Sequence, residues 1–73
     1  MPLVTIETIA GSLSEVQKNR LILNVTEAVV EVEGENMRGL TWVRIHEFQE
    51  RNWAVGGRLV KSADLRGLST GSV

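Results

Sequence analysis

The sequence predicts an α/β fold built on a single β-α-β unit: two parallel strands, one crossover helix between them, and a C-terminal hairpin. Three observations predict it. PLVTIETIA near the start alternates along a run rich in β-branched residues, the mark of a strand. A long segment after it carries apolar residues at helical spacing. LTWVRIHEF then alternates again. A strand, a helix and a strand in this order place the two strands side by side and parallel, with a right-handed crossover.

In the first strand, Val4, Ile6 and Thr8 share one face, and Leu3, Thr5, Glu7 and Ile9 share the other. The helix starts within GSLSEVQK. Ser14 with Gln17 fits a capping box, and Ser12 with Glu15 offers a register that starts earlier. Leu21, Ile22, Val25, Ala28, Val29 and Val32 make one apolar stripe. Leu23 and Val30 fall off that stripe, so a second buried contact is expected for them. Gly34 is the expected stop, and ENMRG is a connection. In the second strand Val43 and Ile45 point one way and Trp42, Arg44 and His46 the other. Gly56-Gly57 between short apolar stretches predicts a tight turn. KSADLRGLSTGSV, at 61–73, reads as a tail, loosely held or used in subunit contacts.

The chain has 73 residues and forms one domain, 1–73, with a core spanning about residues 2–60. A domain of this size buries only about 60% of its unfolded surface and is marginal alone. Disulfides are excluded because there is no cysteine, and a single histidine gives no basis for a metal site. Self-association is the remaining support. The formal net charge is −1, which argues against a nucleic-acid partner. No apolar run is long enough to span a membrane, and the N-terminus lacks the character of a signal peptide, so a cytoplasmic location is expected.

Pro2, the only proline, opens the first strand. It suits a strand start, where no ladder donor is lost. Once Met1 is removed it also becomes a secondary amine. An α-amino group has a reference pKa near 7.7–8.0. Burial or a nearby cation lowers it, and a neutral amine near pH 7 is a competent general base. With Met1 in place the same nitrogen is an amide without a basic lone pair.

Three stretches taken together, PLVTIE at 2–7, GSLSEVQK at 11–18 and NWAVGG at 52–57, resemble the 4-oxalocrotonate tautomerase family. The resemblance covers roughly residues 2–60. It implies a hexamer, a trimer of dimers of β-α-β units. It also implies cofactor-free keto–enol proton transfer on an α-keto acid or its enol, with an amino-terminal proline as the base. No metal or nucleotide is implied. The family usually carries an arginine just after the glycine of the helix start; here that position is Ser12. A second arginine normally sits in the second strand. Ungapped alignment from Trp53 puts Trp42 there, and alignment on the Val-Arg pair puts Arg44 there.

The resemblance therefore implies Pro2 and Arg44 as catalytic residues, with Trp53, Ser12, Trp42 and Arg58 around the substrate. A guanidinium binds a carboxylate through two parallel hydrogen bonds and stabilises a developing enolate. Arg44 reads equally as a strand arginine paired with Glu47 or with a neighbouring subunit. Trp53 matches the family's aromatic wall. Trp42 suits an interface, Ser12 a turn or cap, and Arg58 an exposed hairpin. His46 shares the face of Trp42 and Arg44.

The same resemblance leaves two rival functions open. One is dehalogenation or decarboxylation, with Glu7, Glu47 or Glu50 activating water. The other is a non-catalytic subunit that assembles with a paralogous chain, which Ser12 and Trp42 at arginine positions would suit.

Overall fold

The computed structural model describes residues 2–69. Strand β1 spans Leu3–Ile9, helix α1 Glu15–Glu33 and strand β2 Trp42–Phe48. A 3-10 helix, Glu35–Leu40, joins α1 to β2. A second, Glu50–Asn52, leads into a hairpin of β3 (Ala54–Val55) and β4 (Arg58–Leu59), and helix α2 follows at Ser62–Ser69.

β1 and β2 pair in parallel, in register from Leu3 opposite Trp42 to Ile9 opposite Phe48. The ladder runs past both strands. Trp42 N–H donates to the Pro2 carbonyl at 2.9 Å, and Ala10 N–H donates to the Phe48 carbonyl at 2.7 Å. The α/β architecture expected from the alternating segments is thus present, with α1 as the crossover.

α1 begins at the later of the two registers. Ser14 Oγ accepts from Gln17 N–H at 3.1 Å, and Gln17 Oε1 accepts from Ser14 N–H at 2.8 Å. This reciprocal pair satisfies donors that the helix itself cannot. The helix ends at Gly34, whose N–H donates to the Val30 carbonyl. Beyond it, Arg38 bridges Glu27 on α1 and Glu35 on the connection. Its Nε–Glu35 Oε2 contact is 2.5 Å. This fork ties the end of the crossover to the helix and holds both carboxyls below the ordinary glutamate range.

The core is small. Among the described residues the buried hydrophobics are Ile9, 1% exposed, and Val30, 8% exposed. α1 therefore lies on the sheet with a face that includes Val30, which the helical stripe had left aside. Val32, expected in the stripe, is 85% exposed. The stripe is wider than one contact face of a helix, and a sheet of two strands covers only part of it.

The segment after the hairpin differs from the expected loose tail, because residues 62–69 form α2. Ser62 and Asp64 in its first turn are residues that favour a helix start. Residues 70–73 of the expected tail, and Met1, lie outside the described residues.

Candidate active site

One face of the β1–β2 pair carries three of the side chains singled out above, Trp42, Arg44 and His46. Parallel register sets Leu3 beside Trp42, Thr5 beside Arg44 and Glu7 beside His46. These residues alternate with Val4, Ile6, Val43 and Ile45, which lie on the better-covered face toward α1. The Arg44 face is bare in the single chain: Leu3 is 48% exposed and Trp42 58%.

Arg44 Nε donates to Thr5 Oγ1 at 3.1 Å. It does not pair with Glu47, which receives Lys18 Nζ at 3.1 Å on the other side of the strand. Lys18 also meets Glu15 at 3.2 Å, and the two carboxylates push its ammonium above the usual lysine value, Glu47 more than Glu15. No carboxylate among the described residues lies within ion-pair distance of Arg44. Its guanidinium is thus held at one nitrogen by a neutral hydroxyl, and the residue is exposed.

Pro2 is half-buried at the head of β1, with its carbonyl in the ladder to Trp42. Arg44 stands opposite Thr5, three residues along the strand, about 10 Å at the usual rise.

Ser12 is the binding candidate least able to meet a substrate. It is 7% exposed. Its hydroxyl donates to the Ile9 carbonyl at 2.7 Å and lies 2.8 Å from Thr8 Oγ1. It closes the turn between β1 and α1, the turn role open to it from its sequence position.

Trp53 and Arg58 belong to the far end of the strand pair. Trp53 meets Phe48 edge to face, ring centroids 5.8 Å apart, and Phe48 stacks on His46 at 4.3 Å. Phe48 closes β2, and the strand separates it from the Pro2 end by roughly 20 Å. Arg58 pairs with Val55 in the hairpin, fully outside the core. The turn between them uses Gly56 at φ 59° and Gly57 at φ 81°. Two consecutive left-handed residues match the twist of a two-residue hairpin, and glycine adopts them without a Cβ clash. Thus the fold brings Trp42 and Arg44 together near Pro2, and sets Trp53, Arg58 and Ser12 at the opposite end.

Two contacts here were not read from the sequence. Glu50 Oε1 accepts from Ser62 N–H at 2.7 Å and from Ser62 Oγ at 2.6 Å. These bonds, the hydroxyl's first, hold the Glu50 carboxyl below its ordinary range. Arg66 Nη1 donates to the Gly11 carbonyl at 2.6 Å. Pairs so distant in the chain leave no local pattern in the sequence.

No helix among the described residues is long and apolar enough to cross a membrane. None of their His, Asp or Glu side chains gather into a group that could hold a metal ion.

Comparison with known proteins bears on the fold and the family. The family model described as "Tautomerase enzyme" matches residues 2–63. YwhB, a homologue of 4-oxalocrotonate tautomerase, is 33% identical, with a TM-score of 0.70 over 86% of this chain and 97% of that one. DmpI from Helicobacter pylori is 30% identical, with a TM-score of 0.68 over 81% and 95%. TomN, a 4-oxalocrotonate tautomerase homologue in the tomaymycin biosynthetic pathway, is 27% identical, with a TM-score of 0.72 over 90% and 95%. No curated protein sequence gives a significant match. The family model spans most of the chain and the YwhB likeness covers nearly all of that protein, so the chain belongs to the tautomerase enzyme family.

Proposed function

We propose that this chain is a cofactor-independent tautomerase that moves a proton between oxygen and carbon of an α-keto acid or its enol. Membership of the family supports a tautomerase-type, isomerase-class activity. The observation that carries the finer reading is the Arg44 guanidinium: oriented by Thr5, without a carboxylate partner among the described residues, on the same strand pair that Pro2 heads. In this reading Met1 has been removed, and the Pro2 amine takes the proton and returns it to a second atom. Arg44 receives the substrate carboxylate through paired hydrogen bonds and steadies the enolate as its charge grows.

Pro2 and Trp53 stand at opposite ends of one chain, so an aromatic wall over Pro2 comes from a second copy. The bare face with Leu3 and Trp42 supports that assembly, a hexamer by resemblance to the family. A substrate with one carboxylate fits best, because Ser12 offers no cation and its hydroxyl is already engaged. That same feature favours a second reading, in which a paralogous chain supplies the missing arginine and this chain is one of two subunit types.

The test is ketonisation of phenylenolpyruvate by chain whose intact mass shows Met1 removed. The processed chain is expected to turn over alone, and Pro2→Ala to lose about 10²–10⁴-fold in rate. Full activity in Pro2→Ala would overturn the proline mechanism. Turnover that appears only on adding a paralogous chain would favour the two-subunit reading.

A further inference from the structure

The hairpin at 53–60 is exposed from Ala54 to Leu59, while its first root Trp53 meets Phe48 edge to face. Val55 is 66% exposed and Leu59 57%. Three contacts hold the two roots of this arm: one joins them directly, one ties Trp53 to Glu50, and one ties Glu50 across to Ser62. Val60 N–H donates to the Trp53 carbonyl at 3.2 Å, and Trp53 N–H donates to the Glu50 carbonyl at 3.1 Å. The third is the Glu50 carboxylate, whose Oε1 takes both donors of Ser62. Its acceptor is ionised, so it is the strongest of the three.

Ser62 is itself anchored. It is a buried polar residue at the start of α2. A Cβ on Gly11 would lie 3.4 Å from its Oγ, so the β1–α1 turn and the start of α2 pass in contact. Arg66, one turn further along α2, donates to the Gly11 carbonyl. A continuous path therefore runs from the β1–α1 turn through α2 and Glu50 to the root of the arm. Lys61 and Arg66 are the charged groups that face Glu50, and both favour its ionised form.

We infer that Glu50 is a positioning residue: by receiving both donors of Ser62 it locks the two roots of the 53–60 arm to docked α2, and so sets the angle at which Trp53 and Arg58 are presented to a substrate. Glu50 touches no substrate itself. Its consequence for turnover rests on the tautomerase reading, but the lock does not. Loss of the carboxylate leaves β1, α1 and β2 intact and lets the arm swing. Substrate binding then weakens while the proton-transfer step at Pro2 is unchanged.

The test uses the full processed chain, with Glu50→Ala, Ser62→Ala and the double variant. Amide hydrogen exchange reads the lock and steady-state kinetics on phenylenolpyruvate reads its effect. In Glu50→Ala the amides of Val60 and Ser62 are expected to exchange at least about tenfold faster, with those of β1 and β2 unchanged. KM is expected to rise about tenfold with kcat held within about twofold, as fits a displaced binding group. Ser62→Ala should do the same more weakly, because its backbone N–H still donates. The double variant should be no worse than Glu50→Ala, as for two partners of one interaction.

Unchanged protection at Val60 and Ser62 in both single variants would overturn the lock. Lost protection with an unchanged KM would overturn the positioning role. If the wild-type chain has no turnover, the functional reading fails instead, and the exchange measurement still decides the lock. Should Glu50→Ala fail to fold, Ser62→Ala carries the same two readouts.

Discussion

Arg44 Nε donates to Thr5 Oγ1 across the parallel ladder, at 3.1 Å between residues that face each other in register. A neutral partner fixes the direction of the guanidinium without cancelling its charge. That is the arrangement a carboxylate-binding arginine needs, because a paired guanidinium would have to be released first.

The first prediction concerns this arginine. Arg44→Gln should raise KM for a keto-acid substrate by about 10–100-fold, the range for losing a charge-assisted, bidentate contact. Arg44→Lys should recover little, because an ammonium cannot match the planar fork. Thr5→Val should give a smaller rise, since it frees the side chain but leaves the charge. Initial-rate kinetics on the three variants checks the order.

The bare sheet face gives the second. Leu3 and Trp42 face each other there, about half exposed. Leu3→Glu is expected to shift the chain toward its 8.1 kDa monomer, because a buried carboxylate without a partner disfavours association. Sedimentation velocity measures this, and an unchanged sedimentation coefficient would argue that another surface holds the assembly.

A third concerns pH. The folded pKa values of Glu27 and Glu35 are lowered by Arg38, and that of Glu50 by Ser62. A lowered folded pKa stabilises the native state above the ordinary value of 4.5, and this contribution is lost as pH falls through the lower folded value. Lys18 is the reverse case. Its raised pKa stabilises below 10.5 and ceases to do so as pH rises past the folded value. The urea midpoint should therefore fall from pH 5 toward pH 3, and Arg38→Gln should flatten part of that fall. These groups are exposed, so added salt should weaken the effect.

Packing supplies the fourth. Ile9→Ala removes one of the two buried hydrophobics among the described residues and should cost about 3 kcal/mol. Val32→Ala changes an exposed side chain and should cost about 0.5 kcal/mol or less in the isolated chain. Chemical denaturation at low protein concentration separates the two. A large cost at Val32 would show that another copy covers it.

The strands and α1 were legible because each repeats a simple period. Val4, Ile6 and Thr8 alternate, and Ser14 with Gln17 marks the helix start. Gly56-Gly57 was legible because few other residues turn the chain there at low cost. Pro2 was legible as a residue but not as an environment. Ser12 could be placed in a turn, yet its bonds to Ile9 and Thr8 needed coordinates. The stripe on α1 suggested that Val32 is buried and set Val30 apart with Leu23, yet Val30 is buried and Val32 and Leu23 are exposed, because a periodic pattern shows which residues are apolar but not how wide a partner will cover them.

By itself the sequence determined the order and type of the main elements, the parallel pairing that a crossover helix requires, and the family. These follow from local periods and short motifs, which act over a few residues. Only the tertiary structure decided that Arg44 rests on Thr5 and not Glu47, that residues 62–69 form a docked helix, and that Glu50 joins the two roots of the hairpin arm. Each of these is a choice among several polar partners of similar chemistry. That choice depends on which groups the folded backbone brings within about 3 Å, a distance no sequence separation encodes.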